Sequence, residues 1–223
     1  MRTNAVTNQK SLFSTKQMVT VSLLSALAYV LMLLHLPVKY LGFLEFEFSD
    51  IPAVIAALTY GPFAGVIVEL VKNLIKALTA SSTGMVGELA NFIISSAYII
   101  PVGILYKLRK AKKLQTATAN GNGITSSDKT WNGLYMIFIF VVGTVAMSIT
   151  GALLNYFVTL PLYAKLFGGM DVIVGIASAN VSAVKDLASL VIIGITPFNI
   201  VKGIYISIIG YYTYRFLKGK ILQ

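Results

Sequence analysis

Asn199 and Lys202 stand three residues apart inside an apolar run from Leu187 to Tyr214 that carries no other charge. That spacing puts an amide and an ammonium on one helical face. A charge well inside a membrane span costs roughly 3 kcal/mol, so it meets a partner, a ligand or a water-filled cavity. Pro197 removes a backbone donor just before them, which loosens the helix and frees carbonyls nearby. Together these groups make a polar pocket in apolar surroundings. The alternative is a structural lysine, paired with a carboxylate or snorkelling to one surface.

The elements that must position this pair are membrane spans. Of 223 residues, 57% are hydrophobic and only 12% charged, against about 25% charged in a soluble domain, and the mean hydropathy is +0.80. An all-α integral membrane protein with one compact domain follows. With no cysteine, disulfide and thiol chemistry are excluded, and the single histidine, His35, makes no histidine metal cluster. The net charge of +10 gathers at the ends of apolar spans, which points to anionic lipid and topology rather than nucleic acid. No short apolar segment with a small-residue cleavage site opens the chain, so no removable signal peptide is expected.

Six spans are expected. Residues 1–15 are a polar, flexible N-terminus, and 16–223 form a single six-helix membrane domain. The first span, Met18 to Leu36, carries Ser22 and Ala26 four apart, a small-xxx-small face that serves either internal packing or the docking of a second protein. In the loop 37–49, Leu44, Phe46 and Phe48 alternate with Phe43, Glu45 and Glu47, a period of two that suits an extended lid or an interfacial anchor. Asp50 with Pro52 reads as a helix start, Asp50 as a cap rather than a ligand. A short helix over 51–60 turns at Gly61-Pro62 into a third, Phe63 to Thr79, where Glu69 and Lys72 are spaced for an internal ion pair. Further spans are expected over 89–105, 134–157 and 187–214. The basic segment 106–132 reads as a loop with a flexible tract at 116–123, and 164–185 as a polar connection with a short helix.

An even number of spans puts both termini on one side. Twelve of the eighteen basic residues (Arg2, Lys10, Lys16, Lys107, Arg109, Lys110, Lys112, Lys113, Lys129, Arg215, Lys218, Lys220) fall there, which makes that side the cytoplasm. A pocket at Lys202 then opens outward. The sequence lacks a GxxxxGK[ST] phosphate loop, HExxH and GxSxG, and four of its eight acids (Glu45, Glu47, Asp50, Glu88) fall in loops expected near the outer face. An enzyme or a buried proton relay is therefore disfavoured.

Phe48-Ser49-Asp50-Ile51-Pro52 and Tyr60-Gly61-Pro62-Phe63-Ala64-Gly65, behind a first span with a small-residue face, resemble the S components of energy-coupling factor (ECF) vitamin transporters. The segments 154–163 (LNYFVTLPLY) and 197–203 (PFNIVKG) are similar to the riboflavin-specific members. The resemblance implies an S-component bundle of six helices in a bacterial plasma membrane. It also implies riboflavin as transported ligand without a cofactor, and docking onto a transmembrane coupling protein with two ATPase subunits that use the ATP. It carries the flavin ring onto Asn155, Asn199 and Lys202, and partner docking onto Ser22 and Ala26. The chemistry agrees: amides supply donor and acceptor and an ammonium donors, which suits the ring's edge of carbonyls and N–H. Phe43, Leu44, Phe46 and Tyr156 are expected to cover the ring faces, and Glu88 and Asn91 to meet the ribityl hydroxyls. The alternatives are an S component for another vitamin or small molecule, a membrane-embedded enzyme, or an assembly subunit without a ligand.

Overall fold

The computed structural model describes residues 13–34, 39–120 and 127–218. Its first helix, α1 (Thr15–Leu33), begins where Ser14 and Gln17 complete a reciprocal capping box, the S-x-x-Q signature of a helix start. A two-stranded antiparallel hairpin follows, β1 (Lys39–Tyr40) and β2 (Leu44–Glu45), with Lys39 opposite Glu45. Of the alternating stretch 43–48, Leu44–Glu45 pairs as a strand, while Phe43 lies in the turn and 46–48 have no regular structure. Its turn holds Leu41 at φ +56°; burial of the leucine side chain offsets the cost of that backbone conformation.

The next helix, α2 (Ile51–Tyr60), is buried over every residue from Ile51 to Leu58. A helix apolar all round belongs in an interior, and α2 packs against α1, α3, α4 and the last helix. Gly61, at φ +101°, turns the chain into α3 (Pro62–Thr79). Here the usual pattern is inverted. Glu69, Lys72 and Asn73 lie on the buried stripe with Ala64, Gly65 and Val68, while Leu70, Leu74 and Leu78 face outward. Polar in and apolar out is the arrangement suited to lipid.

Gly65 sets how closely these helices approach. A Cβ there would lie 2.6 Å from Ile99 Cγ2, 2.8 Å from the Ala53 carbonyl oxygen and 2.9 Å from Ala57 Cβ. A backbone carbonyl cannot swing aside, so Gly65→Ala is expected to cost about 1–3 kcal/mol as overpacking. Thermal unfolding in detergent checks this; an unchanged midpoint would contradict it.

The fourth helix, α4 (Val86–Asn120), reaches far into the basic segment, and α5 (Ser127–Leu154) begins inside it. Much of the expected 106–132 loop is therefore helix, because its Leu, Ala, Lys and Gln are good helix formers; residues 121–126 lie outside those described, as do 1–12 and His35. After α5 the chain passes through a π turn, Asn155–Thr159, into α6 (Leu160–Leu166), then α7 (Met170–Asn180), α8 (Leu187–Ser189), a second π turn, Leu190–Ile195, and α9 (Thr196–Lys218). Segment 164–185 is more than a polar connection: α7 buries Ile173 and Ala177 against Leu41, Leu160 and Leu190. Asp186 caps α8 by accepting from the Ser189 N–H at 2.7 Å, and that bond holds its carboxyl below the usual range. Among the described residues, four helical stretches are long and apolar enough to cross a membrane: Thr15–Leu33, Val86–Lys113, Gly133–Leu166 and Leu187–Lys218.

Candidate ligand-binding site

The chain directions of α4, α5 and α9 bring Asn91, Asn155 and Asn199 to one end of the bundle, and the basic ends of α4 and α9 to the other. At the first end lies a cavity of about 500 Å³, within the roughly 300–1,000 Å³ of small-molecule sites. Its lower wall is polar: Asn155 comes from the first π turn, Asn199 and Lys202 from α9, Asn91 and Glu88 from α4. Phe43, Leu44, Phe198, Ile173 and Ile176 supply apolar walls.

Both π turns stand beside the site, a frequent position for such bulges. Each shifts the helix register by one residue, and the carbonyl of Val191 accepts both the Thr196 N–H and, at 2.9 Å, the Thr196 hydroxyl. Proline at 197 is thus accompanied by a loosened helix, but the loosening takes the form of a π turn upstream. Asn155 and Asn199 each donate one N–H to their own helix, to the carbonyls of Gly151 at 2.8 Å and Ile195 at 3.0 Å. Each amide therefore keeps an oxygen and a second N–H.

Lys202 is 5% exposed and its surroundings are acidic. It lies 2.9 Å from Asp50 Oδ2 and 3.6 Å from Glu47 Oε1, and donates to Asn91 Oδ1 at 3.1 Å. Three N–H donors thus face three acceptors. Asp50 makes no capping bond to α2; instead its Oδ1 pairs with Lys72, which also reaches Glu69 at 2.9 Å and Ser49 at 2.8 Å. Ser95 donates to Asp50 Oδ2 at 3.1 Å. The expected cap is therefore the centre of a buried ion network, and the Glu69–Lys72 pair is one part of it. The acids expected in loops are buried at Glu47, Asp50 and Glu88, and Glu88 lies in the first turn of α4. A helix-start pattern marks Asp50 in the sequence, and no local signal shows that its partners are residues 72 and 202.

The other expected residues divide. Glu88 lines the cavity while accepting from Ser81 and Thr83, both at 2.9 Å, so it also ties the 81–88 loop together. Phe46 stands behind the wall, its ring 4.8 Å from that of Phe198. With Tyr40 stacked on Phe198, Phe48 against Tyr205, and the Tyr205 hydroxyl donating to the Glu47 carbonyl at 2.7 Å, it fastens the loop to α9. Tyr156 does not line the cavity; it is on the outer surface against Phe157, turned away from Asn155 by the helical rotation of about 100° per residue. On α1, Ser22 and Ala26 are exposed, while Ser25 and Ala28 point inward. Lining residues that sequence reasoning missed include Phe198, beside Asn199 in the same motif, and Ile173 and Ile176 of α7.

Comparison with known proteins identifies the family of the chain. The family model for the substrate-specific component of ECF transporters matches residues 16–214. The chain is 34% identical over 201 residues to the riboflavin transporter RibU of Staphylococcus aureus (strain TCH60), covering 90% of this chain and 89% of that protein. It is 37% identical over 197 residues to the riboflavin transporter FmnP of Bacillus subtilis (strain 168), covering 87% of each. A solved structure of the S component of a bacterial ECF transporter superposes with a TM-score of 0.61 at 33% identity, over 92% of this chain and 96% of that one.

Proposed function

The chain belongs to the substrate-specific components of ECF transporters, and from that premise we propose that it captures riboflavin outside a bacterial cell and hands it inward. As a transporter component it is not an enzyme. The observation that carries the ligand is the convergence of Asn155, Asn199 and Lys202 on one largely apolar cavity, together with the riboflavin transporters among its relatives. The flavin's edge of carbonyls and N–H meets the two amides and the ammonium, because these groups together supply donors and acceptors beside apolar walls. Phe43, Leu44 and Phe198 flank the ring, with Phe46 behind Phe198; Glu88 and Asn91 meet the ribityl hydroxyls.

Lys202 meets Asp50 at 2.9 Å and donates to Asn91 at 3.1 Å, with Glu47 facing it at ion-pair distance. Glu47 is the most distant of the three at 3.6 Å, so it is the contact that a flavin carbonyl replaces. Because Glu47 belongs to the loop that follows the β1–β2 hairpin and also accepts from Asn91 at 3.0 Å, ligand arrival and loop position are linked through its carboxylate.

The six crossings in this reading are α1, α2, α3, α4, α5 with α6, and α9. An even number brings both termini to the basic end, which the positive-inside rule makes cytoplasmic, in the plasma membrane with the cavity facing out. A coupling protein with two ATPases supplies the energy. It docks on the exposed Ser22 and Ala26 stripe of α1, which lets another helix approach closely.

The test of the ligand is an absorption spectrum of the protein purified in detergent from a riboflavin-containing host. Flavin bands near one equivalent are expected; colourless, folded protein that binds no added riboflavin would refute the assignment. Gly151→Ala probes the amide geometry, since a Cβ there would lie 2.5 Å from Asn199 Nδ2. It is expected to weaken flavin binding about tenfold, on the order of one displaced hydrogen bond, with little change in unfolding temperature. Unchanged affinity would remove Asn199 from the account.

A further inference from the structure

A second cavity, of about 730 Å³, opens along the outer surface between α5 and α9. It runs from Gly133 to Ile149 on one helix and from Ile200 to Arg215 on the other, a length of roughly 22–24 Å at 1.5 Å per residue. That exceeds half of a hydrocarbon core of about 30 Å, so the groove covers the depth of one leaflet. Its sides are the exposed Val141, Val145, Ile204 and Ile208. The two serine hydroxyls in its floor are turned into the helices, Ser148 onto the Thr144 carbonyl at 2.8 Å and Ser207 onto the Gly203 carbonyl at 2.6 Å. Along its length, therefore, the groove offers apolar surface.

Its mouth differs. Arg215 closes that end with its guanidinium 5.8 Å from the Tyr211 ring. Tyr212 stands beside it, and Lys218 follows three residues on, over Tyr214. Aromatic rings with arginine and lysine mark the headgroup depth of a bilayer, and a basic pocket between helices at that depth attracts anionic headgroups. We propose that the α5–α9 groove holds one anionic phospholipid, its acyl chain along Val145 and Ile204 and its phosphate on Arg215. Charge decides for this occupant: a zwitterionic lipid brings no net negative charge to the cationic mouth, and an apolar helix would bury Arg215 without a counter-charge.

The test is native mass spectrometry of the purified chain mixed with equal amounts of phosphatidylglycerol and phosphatidylcholine. One phosphatidylglycerol is expected to stay bound at energies that strip phosphatidylcholine. Arg215→Gln is expected to lower that preference about fivefold, the effect of one cationic side chain near a headgroup. Ile204→Trp, which fills the groove, is expected to abolish the retained lipid; Val145→Trp, from the facing helix, serves if that variant does not fold. Retained riboflavin binding shows that each variant is folded. Equal retention of the two lipids, or a phosphatidylglycerol adduct indifferent to the tryptophan variants, would overturn the proposal. The chain has no cysteine, so Ile204→Cys can be crosslinked uniquely. Efficient crosslinking to a second copy or to a coupling-protein helix in phosphatidylglycerol vesicles would overturn it too.

Discussion

Lys202→Met is expected to weaken riboflavin binding by roughly 10- to 150-fold, the effect of losing a charged hydrogen bond worth about 1.5–3 kcal/mol. Methionine keeps much of the side-chain volume and removes the donors. The variant also leaves Glu47 and Asp50 buried with less positive charge beside them, and some stability goes with it. The two effects separate in the pair Lys202→Met with Glu47→Gln. Removing the stranded carboxylate restores part of the unfolding temperature, while the flavin affinity stays low. Quenching of flavin fluorescence gives the first quantity and thermal unfolding in detergent the second. If the double variant regained affinity together with stability, Lys202 would be a packing residue and not a ligand.

Asp50→Ala is expected to have the largest effect on folding. Asp50 is 1% exposed and its two oxygens serve two buried lysines from different helices. Without it, Lys72 keeps Glu69 and Ser49, and Lys202 keeps Glu47 and Asn91, but the charge that joins the two sets is gone. Removing one partner from a buried ion pair costs about 3–5 kcal/mol, a large part of the roughly 5–15 kcal/mol that holds a protein folded. A sharp drop in unfolding temperature and in yield follows. Asp50→Asn keeps the shape and one acceptor, so it should fall between Asp50→Ala and the unaltered chain. An Asp50→Ala protein that melts like the unaltered chain would show that the lysines are satisfied without it.

These two residues also mark what the sequence made legible. Lys202 announced itself, because one charge in an apolar run of that length demands a reason, and Asn199 shares its face. The helical class followed from composition, and the short central α2 from its caps and its Gly-Pro exit. Asp50 was read for what its neighbours suggest, since Asp-Ile-Pro has the pattern of a helix start whether or not the carboxylate caps. Its partners lie 22 residues away and at the far end of the chain, and no local pattern encodes them. The π turns were invisible for a related reason: Asn155–Thr159 and Leu190–Ile195 have ordinary helical composition, and the extra residue per turn is settled by tertiary packing. Tyr156 shares its motif with Asn155, but the helical rotation carries it to the outer surface. The helical continuation of α4 through Lys112 and Gln115 is hydrophilic like a loop, but its residues have high helix propensity.

The reading rests on a flavin ring held by two amides and an ammonium, and a structure of the chain determined with riboflavin bound tests it most directly. The expected result places the ring in the 500 Å³ cavity, its carbonyl edge within hydrogen-bonding distance of Asn155, Asn199 and Lys202, with Glu47 withdrawn from the lysine. A ring bound elsewhere, or bound in this cavity with that edge turned away from all three side chains, would contradict it.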